Sequence, residues 1–81
     1  MKNRICVIGI VIKDRKTTAE LINKILSDFG EIVVGRLGIP YREKKISVIS
    51  VIVDGTNDQI GALTGKLGQV KNVKVKSAIL I

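Results

Sequence analysis

The side chains that could do chemistry are few in this sequence, and none of them forms a recognisable catalytic group. The 81-residue chain contains no histidine, so it has no imidazole to act as an acid, a base or a metal ligand. Its single cysteine, Cys6, lies inside a run of apolar residues, which favours a small buried hydrophobe over a metal ligand or a sensor thiol. Seven carboxylates are scattered along the chain without an obvious pair. The sequence therefore predicts a protein that is not an enzyme, with no catalytic residue, no metal site and no cofactor.

Two of these carboxylates follow apolar segments directly. Asp14 and Asp54 each stand at the end of a predicted buried strand, just before a predicted helix. Aspartate at such a junction commonly caps the helix or stabilises the turn. For both residues this interpretation is favoured over a role in catalysis.

The segments that would position any site begin with two strands that are apolar on both sides. Arg4 to Lys13 (RICVIGIVIK) has only apolar residues and glycine between its basic ends. Ile46 to Val53 (ISVISVIV) is interrupted only by two serines. Because successive side chains of a strand point to opposite sides, both faces of these two strands must be covered.

Two helices are predicted, and each begins with the spacing of a capping box. Thr17 and Glu20 have this spacing in front of a stripe of apolar residues at helical intervals. Thr56 and Gln59 repeat it in front of a second, weaker stripe that ends at Leu67. In a capping box the two side chains satisfy each other's free backbone N–H groups, so both positions predict a helix start.

The remaining two strands have the features of sheet edges. Glu31 to Ile39 contains Gly35 and Gly38 and is followed by a polar turn that starts at Pro40. Glycine weakens a strand or marks a bulge, and proline ends pairing at an edge. In Lys71 to Ile81, valines alternate with lysines, and lysines on one side of an edge strand discourage stray pairing.

The order of elements is strand, helix, strand, strand, helix, strand. Two such split β-α-β halves with right-handed crossovers predict an α+β fold, the ferredoxin-like βαββαβ sandwich. In this fold a four-stranded antiparallel sheet carries two helices on one face, with the first and third strands at the centre. The whole chain, residues 1–81, is expected to form a single domain.

The other face of that sheet would be bare, and this predicts a homo-oligomer. Roughly five large aliphatic side chains would face water there, and burying each is worth about 1.5–3 kcal/mol. A patch of that size marks an interface. We expect a dimer or a tetramer, which packs through the helix-free face or continues the sheet edge to edge. The side chains expected in the interface are Ile8, Ile10, Ile12, Ile49 and Val51.

The composition limits the possible partners and the compartment. The formal net charge is +7, spread through the chain as single residues and pairs, so a solvated surface is favoured over a polyanion contact. The predicted central strands carry no aromatic residue on which RNA bases could stack. The sequence has no apolar run long enough for a membrane span and no signal peptide, and its lone cysteine fits a reducing compartment. A cytoplasmic protein with no membrane partner is predicted.

One segment carries a resemblance to a known family. After the first strand, DRKTTAEL resembles the first turn of the ACT regulatory domain, which usually begins Asp-Arg-Pro-Gly. Asp14 and Arg15 match this motif, while Lys16 and Thr17 replace its proline and glycine. Nearly the whole chain is similar to a small bacterial family of ACT-like proteins named for the regulation of iron-only hydrogenase systems. It also resembles the C-terminal domain of the nickel-responsive regulator, whose nickel site needs histidines that this chain lacks.

The resemblance implies a regulatory or ligand-sensing domain that works as a homo-oligomer and regulates a hydrogenase system. A small molecule would bind at a subunit boundary, where the first strand-helix turn faces the second strand of a neighbouring copy. The residues expected there are Asp14, Thr17, Gly35, Arg36 and Tyr41. The alternative is that these are ordinary turn and edge residues. A different functional class also stays open, namely a weak, sequence-independent and salt-sensitive contact with nucleic acid as an accessory protein of a transcriptional complex.

Overall fold

Within residues 2–13 and 16–81, which the structure describes, the computed structural model contains four strands and two α-helices. A short 3-10 turn, Arg42–Lys44, lies between the second and third strands. The elements are β1 (Arg4–Lys13), α1 (Lys16–Asp28), β2 (Val33–Tyr41), β3 (Ile46–Gly55), α2 (Asn57–Gly68) and β4 (Val73–Ile79).

The strands form one antiparallel sheet in the order β2-β3-β1-β4. This is the ferredoxin-like βαββαβ arrangement, so the predicted fold class is confirmed. The two strands that are apolar on both sides, β1 and β3, lie at the centre and pair along their whole lengths. The glycine-containing β2 and the lysine-containing β4 lie at the edges, as the sequence predicts.

Both helices pack on one face of this sheet and form the core with it. Alternate side chains of β1, from Cys6 to Ile12, are almost fully buried, and Val51 and Val53 of β3 lie beside them. Cys6 is therefore a core residue with a free thiol, as predicted. Each buried aliphatic side chain contributes about 1.5–3 kcal/mol, so this layer provides most of the driving force for folding. From the helices, the core contains Ile22, Ile25, Leu26, Ile60, Leu63 and Leu67.

The structure corrects the predicted interface residues. All five belong to the core beneath the helices, so they do not face the helix-free side. The sequence shows two apolar sets on each central strand but does not show which set the helices cover. Because the two strands are paired residue by residue, a wrong choice on one strand is also wrong on the other. The residues that were wrongly predicted to lie in the interface are Ile8, Ile10, Ile12, Ile49 and Val51.

The two helix starts differ from each other. At α2 the predicted capping box is present, since Gln59 N–H donates to Thr56 Oγ1 at 3.1 Å and Thr56 N–H donates to Gln59 Oε1 at 2.9 Å. At α1 the helix already begins at Lys16, which places Thr17 inside the first turn. The predicted capping role of Thr17 is therefore wrong, because a cap at Thr17 requires a helix that begins at Thr18, and α1 begins two residues earlier.

Gly55 is a position where the fold needs glycine. It is buried at the end of β3, where the chain turns into α2. A Cβ atom at this position would lie 3.0 Å from Gln59 Oε1 and 3.2 Å from Ile32 Cγ2. The same Gln59 side chain completes the capping box of α2, so any side chain at residue 55 would disturb both the core and the helix start. At Gly65, in contrast, a Cβ would meet no atom within 4 Å.

Two alanine substitutions are expected to have opposite effects on stability. Gly55→Ala should destabilise the fold by about 1–3 kcal/mol, because the added methyl group overpacks a filled site. Gly65→Ala should stabilise it by about 1 kcal/mol, because alanine is the better helix former at an open position. Urea denaturation of both variants at equal protein concentration measures the difference. Equal effects at the two glycines would contradict this description of the β3–α2 junction.

Candidate functional site

The sheet face away from the helices is built from the second apolar set of the central strands. On β1 and β3, Val7 pairs with Ile52 and Val11 pairs with Val48. Partners in an antiparallel pair point to the same side, so these four side chains form two rows, with the pair of Gly9 and Ser50 between them. Val48 and Ile52 are exposed, and Val7 and Val11 are partly exposed.

The edge strand β2 extends these rows. Leu37 is paired with Ser50, and Ile39 is paired with Val48, so both point to the same side as the central residues. Leu37 is 62% exposed and Ile39 is 52% exposed. We call this surface the open face and define it by Val7, Val11, Leu37, Ile39, Val48 and Ile52. A contiguous apolar surface of this kind marks a site of interaction.

The opposite edge of the open face is basic. On β4, Lys74 pairs with Val11 and Lys76 pairs with Gly9. These lysines stand on the side of the sheet where the sequence predicts a protected edge. The open face is therefore asymmetric, with aliphatic side chains from β2 to β1 and a charged border along β4.

The residues predicted to bind a ligand do not come together within one copy of the chain. Asp14 lies outside the described residues. Thr17 is in the first turn of α1, whereas Gly35 and Tyr41 lie on β2, paired with Ile52 and Ile46 on the helix-free side. Arg36 points the other way, and its Nη2 group donates a hydrogen bond to the side-chain Oδ1 of Asn23 on α1.

Thr17 lines a different feature, which the sequence did not predict. A groove of about 680 Å³ lies between the first half of α1 and the segment that joins α2 to β4. Its floor is apolar and includes Leu21 and Val70, and Lys66 and Lys71 line it on the α2 side. The groove could not be found from spacing, because its two walls are about fifty residues apart in the chain.

The described residues lack the features of three kinds of site: a metal centre, a membrane-spanning helix and an RNA-stacking surface on the central strands. Within them, no three histidine, cysteine, aspartate or glutamate side chains lie close enough to hold a metal ion. Neither α1 nor α2 is long and apolar enough to cross a membrane. Phe29 and Tyr41 are the aromatic residues of the chain, and neither lies on a central strand, so β1 and β3 offer no base-stacking platform.

The family of the chain follows from its sequence. A sequence model of the family described as "TM1266-like: Iron-only hydrogenase system regulator, putative" matches residues 4–77. The chain belongs to this family. The family resemblance stated from the sequence is thereby confirmed. None of the curated proteins compared with the chain matches it.

Solved structures support the family and the fold. The TM1266 protein of Thermotoga maritima is 38% identical to this chain, with a TM-score of 0.95 over 99% of this chain and 100% of that one. The ACT domain of the GTP pyrophosphokinase of Chlorobium tepidum is 20% identical, with a TM-score of 0.80 over 95% of this chain and 100% of that one. The nitrogen regulatory PII-like protein CPII of Thiomonas intermedia is 14% identical, with a TM-score of 0.57 over 98% of this chain and 95% of that one. The match to the ACT domain shows that the fold is ACT-like.

Two valines of β3 test which set of side chains the helices cover. Val51 is fully buried in the core and Val48 lies on the open face. Val51→Ala should cost about 1.5–3 kcal/mol of stability, whereas Val48→Ala should cost less than about 1 kcal/mol in the dilute protein. Chemical denaturation at low micromolar concentration compares them. A larger loss for Val48→Ala would contradict the assignment of the two faces.

Proposed function

We propose that this chain is a non-catalytic regulatory domain of an iron-only hydrogenase system and that it works as a homo-oligomer assembled through the open face. Membership of a family of hydrogenase system regulators supports the regulatory role. The assembly rests on one observation, the aliphatic helix-free surface from β2 to β1. Regulatory output then comes from a change in the assembly or in what it contacts.

The size of the open face supports assembly on energetic grounds. Its six aliphatic side chains are already partly covered by one another. A gain of about half the usual 1.5–3 kcal/mol each still amounts to several kcal/mol per copy. This is a large fraction of the stability expected for a domain of this size. A partner that excludes water from the open face therefore stabilises the fold and the assembly together.

A lysine placed on the open face should dissociate the assembly, and a lysine of equal exposure elsewhere should not. Ile52 on the open face is 43% exposed, and Leu21 on α1 is 46% exposed. Ile52→Lys should convert a dimer or tetramer into a monomer, because a charge would be buried without a partner. Leu21→Lys is the matched control and should keep the mass of the unmodified protein. Light scattering after size exclusion measures the mass of each variant. The protein is loaded at about 100 µM, which is well above the dissociation constants of complexes in the low micromolar range.

Two results would contradict this assembly. The first is an unmodified chain that elutes with the mass of one copy. The second is a Leu21→Lys variant that dissociates as completely as Ile52→Lys.

We further propose that the assembly senses a small anionic molecule near the start of α1. Thr17 and Asp14 of one copy would offer polar contacts. Gly35, Arg36 and Tyr41 would approach from β2 of a further copy in a tetramer, because α1 lies on the side of the sheet away from the copy that covers the open face. Three features support this site. Helix starts favour anions, Thr17 lines a groove, and the groove is lined by two lysines.

Ligand binding can be tested by thermal shift across a panel of amino acids, nucleotides and inorganic phosphate. A binder at one hundred times its dissociation constant should stabilise the protein by about 2.7 kcal/mol, a shift of several degrees. Lys71→Ala should reduce the shift, because it removes a cation from the groove. Lys74→Ala, on β4, is the matched control and should leave it unchanged. A flat response to the whole panel would contradict sensing.

A further inference from the structure

One row of residues across the open face combines a gap with a projection. Pairing places Lys76, Gly9, Ser50 and Leu37 side by side across β4, β1, β3 and β2. Gly9 has no side chain, although the rows on either side of it carry aliphatic residues. Two strands away, Leu37 projects into solvent with 62% of its surface exposed. The open face thus has a depression at Gly9 and a protruding side chain at Leu37 in the same row.

The chain itself does not need glycine at position 9. A Cβ atom there would meet only the backbone oxygen of Lys76, at 3.9 Å, which is an ordinary contact. Its backbone is a normal strand, with no positive φ angle. Glycine in the middle of a strand is unfavourable and often marks a place where another group approaches closely. Among the described residues of one copy nothing fills that space, so the approaching group must come from elsewhere.

We propose that a second copy covers the open face and that the two copies are related by a twofold axis, which lies between the two sheets and parallel to β3. In this arrangement Leu37 of each copy fills the depression at Gly9 of the other. This inference rests on the proposed homo-oligomer and specifies its register. β2 and β1 flank β3 at equal distances of about 4.8 Å, one on each side. Rotation by 180° about an axis parallel to β3 therefore places β2 of one copy over β1 of the other and preserves the rows.

The same rotation arranges the rest of the face favourably. Ile39 of one copy comes to lie over Val11 of the other, and Val48 and Ile52 each meet their own counterparts. β4 lies two strands from the axis, so its lysines fall beyond the β2 edge of the other copy. Lys74 and Lys76 then remain in water and bury no charge.

The other simple twofold arrangement fits poorly. An axis across the strands, through the row of Gly9, would place Gly9 against Gly9 and Leu37 against Leu37. This leaves a void at one pair and an overlap at the other, and both are costly in a packed interface. It would also bring Lys76 of each copy together. The axis along β3 avoids all three problems.

The proposed register has one electrostatic consequence. Asp54 lies on β3 at the end of the open face, so the two Asp54 carboxylates would come to the same end of the interface. Their repulsion should weaken assembly at low salt. Asp54→Asn is therefore expected to lower the dissociation constant, and added salt should do the same for the unmodified chain.

The interface is modest in size. Three strands about 4.8 Å apart and eight residue steps of about 3.4 Å give roughly 14 by 27 Å, or on the order of 400 Å² per copy. The total of about 800 Å² is below the roughly 1,200 Å² of standard stable interfaces and within the range of weak, transient complexes, so the dissociation constant should lie in the micromolar range.

The test measures dissociation constants by sedimentation equilibrium for Gly9→Val, Leu37→Ala and the double variant. Gly9→Val fills the depression and should raise the dissociation constant at least tenfold, while the diluted protein keeps its fold, because valine favours strands. Leu37→Ala should also raise it at least tenfold. In the double variant, the new valine side chain of one copy occupies space vacated by Leu37 of the other. Its dissociation constant should therefore rise by a smaller factor than the product of the factors for the two single variants. Leu80→Ala is the matched control, since Leu80 is 61% exposed but lies beyond β4.

The outcomes separate this register from the homo-oligomer itself. An unmodified chain that stays a single copy up to about 500 µM would overturn both, because micromolar assembly would be complete there. An assembly that Ile52→Lys dissociates, but that Gly9→Val and Leu37→Ala leave intact, would overturn the register alone. A loss for Leu80→Ala as large as that for Leu37→Ala would also overturn it.

Discussion

The structure depends on the residue-by-residue pairing of β1 with β3. Each of these strands is apolar on both sides, and the pairing aligns one apolar set of each strand with one set of the other. The sheet consequently has two apolar faces, but the two helices cover only one of them. Residues 2–13 and 16–81 provide no further helix or strand for the second face. The open face is the direct consequence of this shortage, and it is the reason to expect a partner.

The edges of the sheet determine which part of that face a partner can use. Lysines on β4 place charge along one border, while β2 extends the aliphatic surface on the other side of the centre. The aliphatic surface is therefore centred on β3 rather than on the middle of the four-stranded sheet. A twofold assembly that buries the aliphatic side chains and leaves the lysines in water must also be centred there. The absence of a side chain at Gly9 and the exposure of Leu37 match that requirement.

Much of the fold could be predicted from the sequence, because each element carries a local signal. Strands that are apolar on both sides indicate the centre, lysines and glycines indicate the edges, and the spacing of Thr56 and Gln59 indicates the start of α2. What could not be predicted was which side of the central strands the helices cover. Ile8 and Val7 are equally suitable for a core, and only their packing against the helices distinguishes them. The groove beside Thr17 was also missed, because it is formed by segments that are distant in sequence.

The claim that a second copy covers the open face is tested most directly by intermolecular NOEs between isotopically labelled and unlabelled copies of the unmodified chain. Such contacts are expected from the methyl groups of Val48 and Ile52 on β3 and between the Leu37 methyl groups and Gly9 of the other copy. Contacts that arise only from residues on the helix side, such as Leu21, would contradict it. So would the absence of any intermolecular contact at concentrations far above the micromolar range expected for an interface of this size.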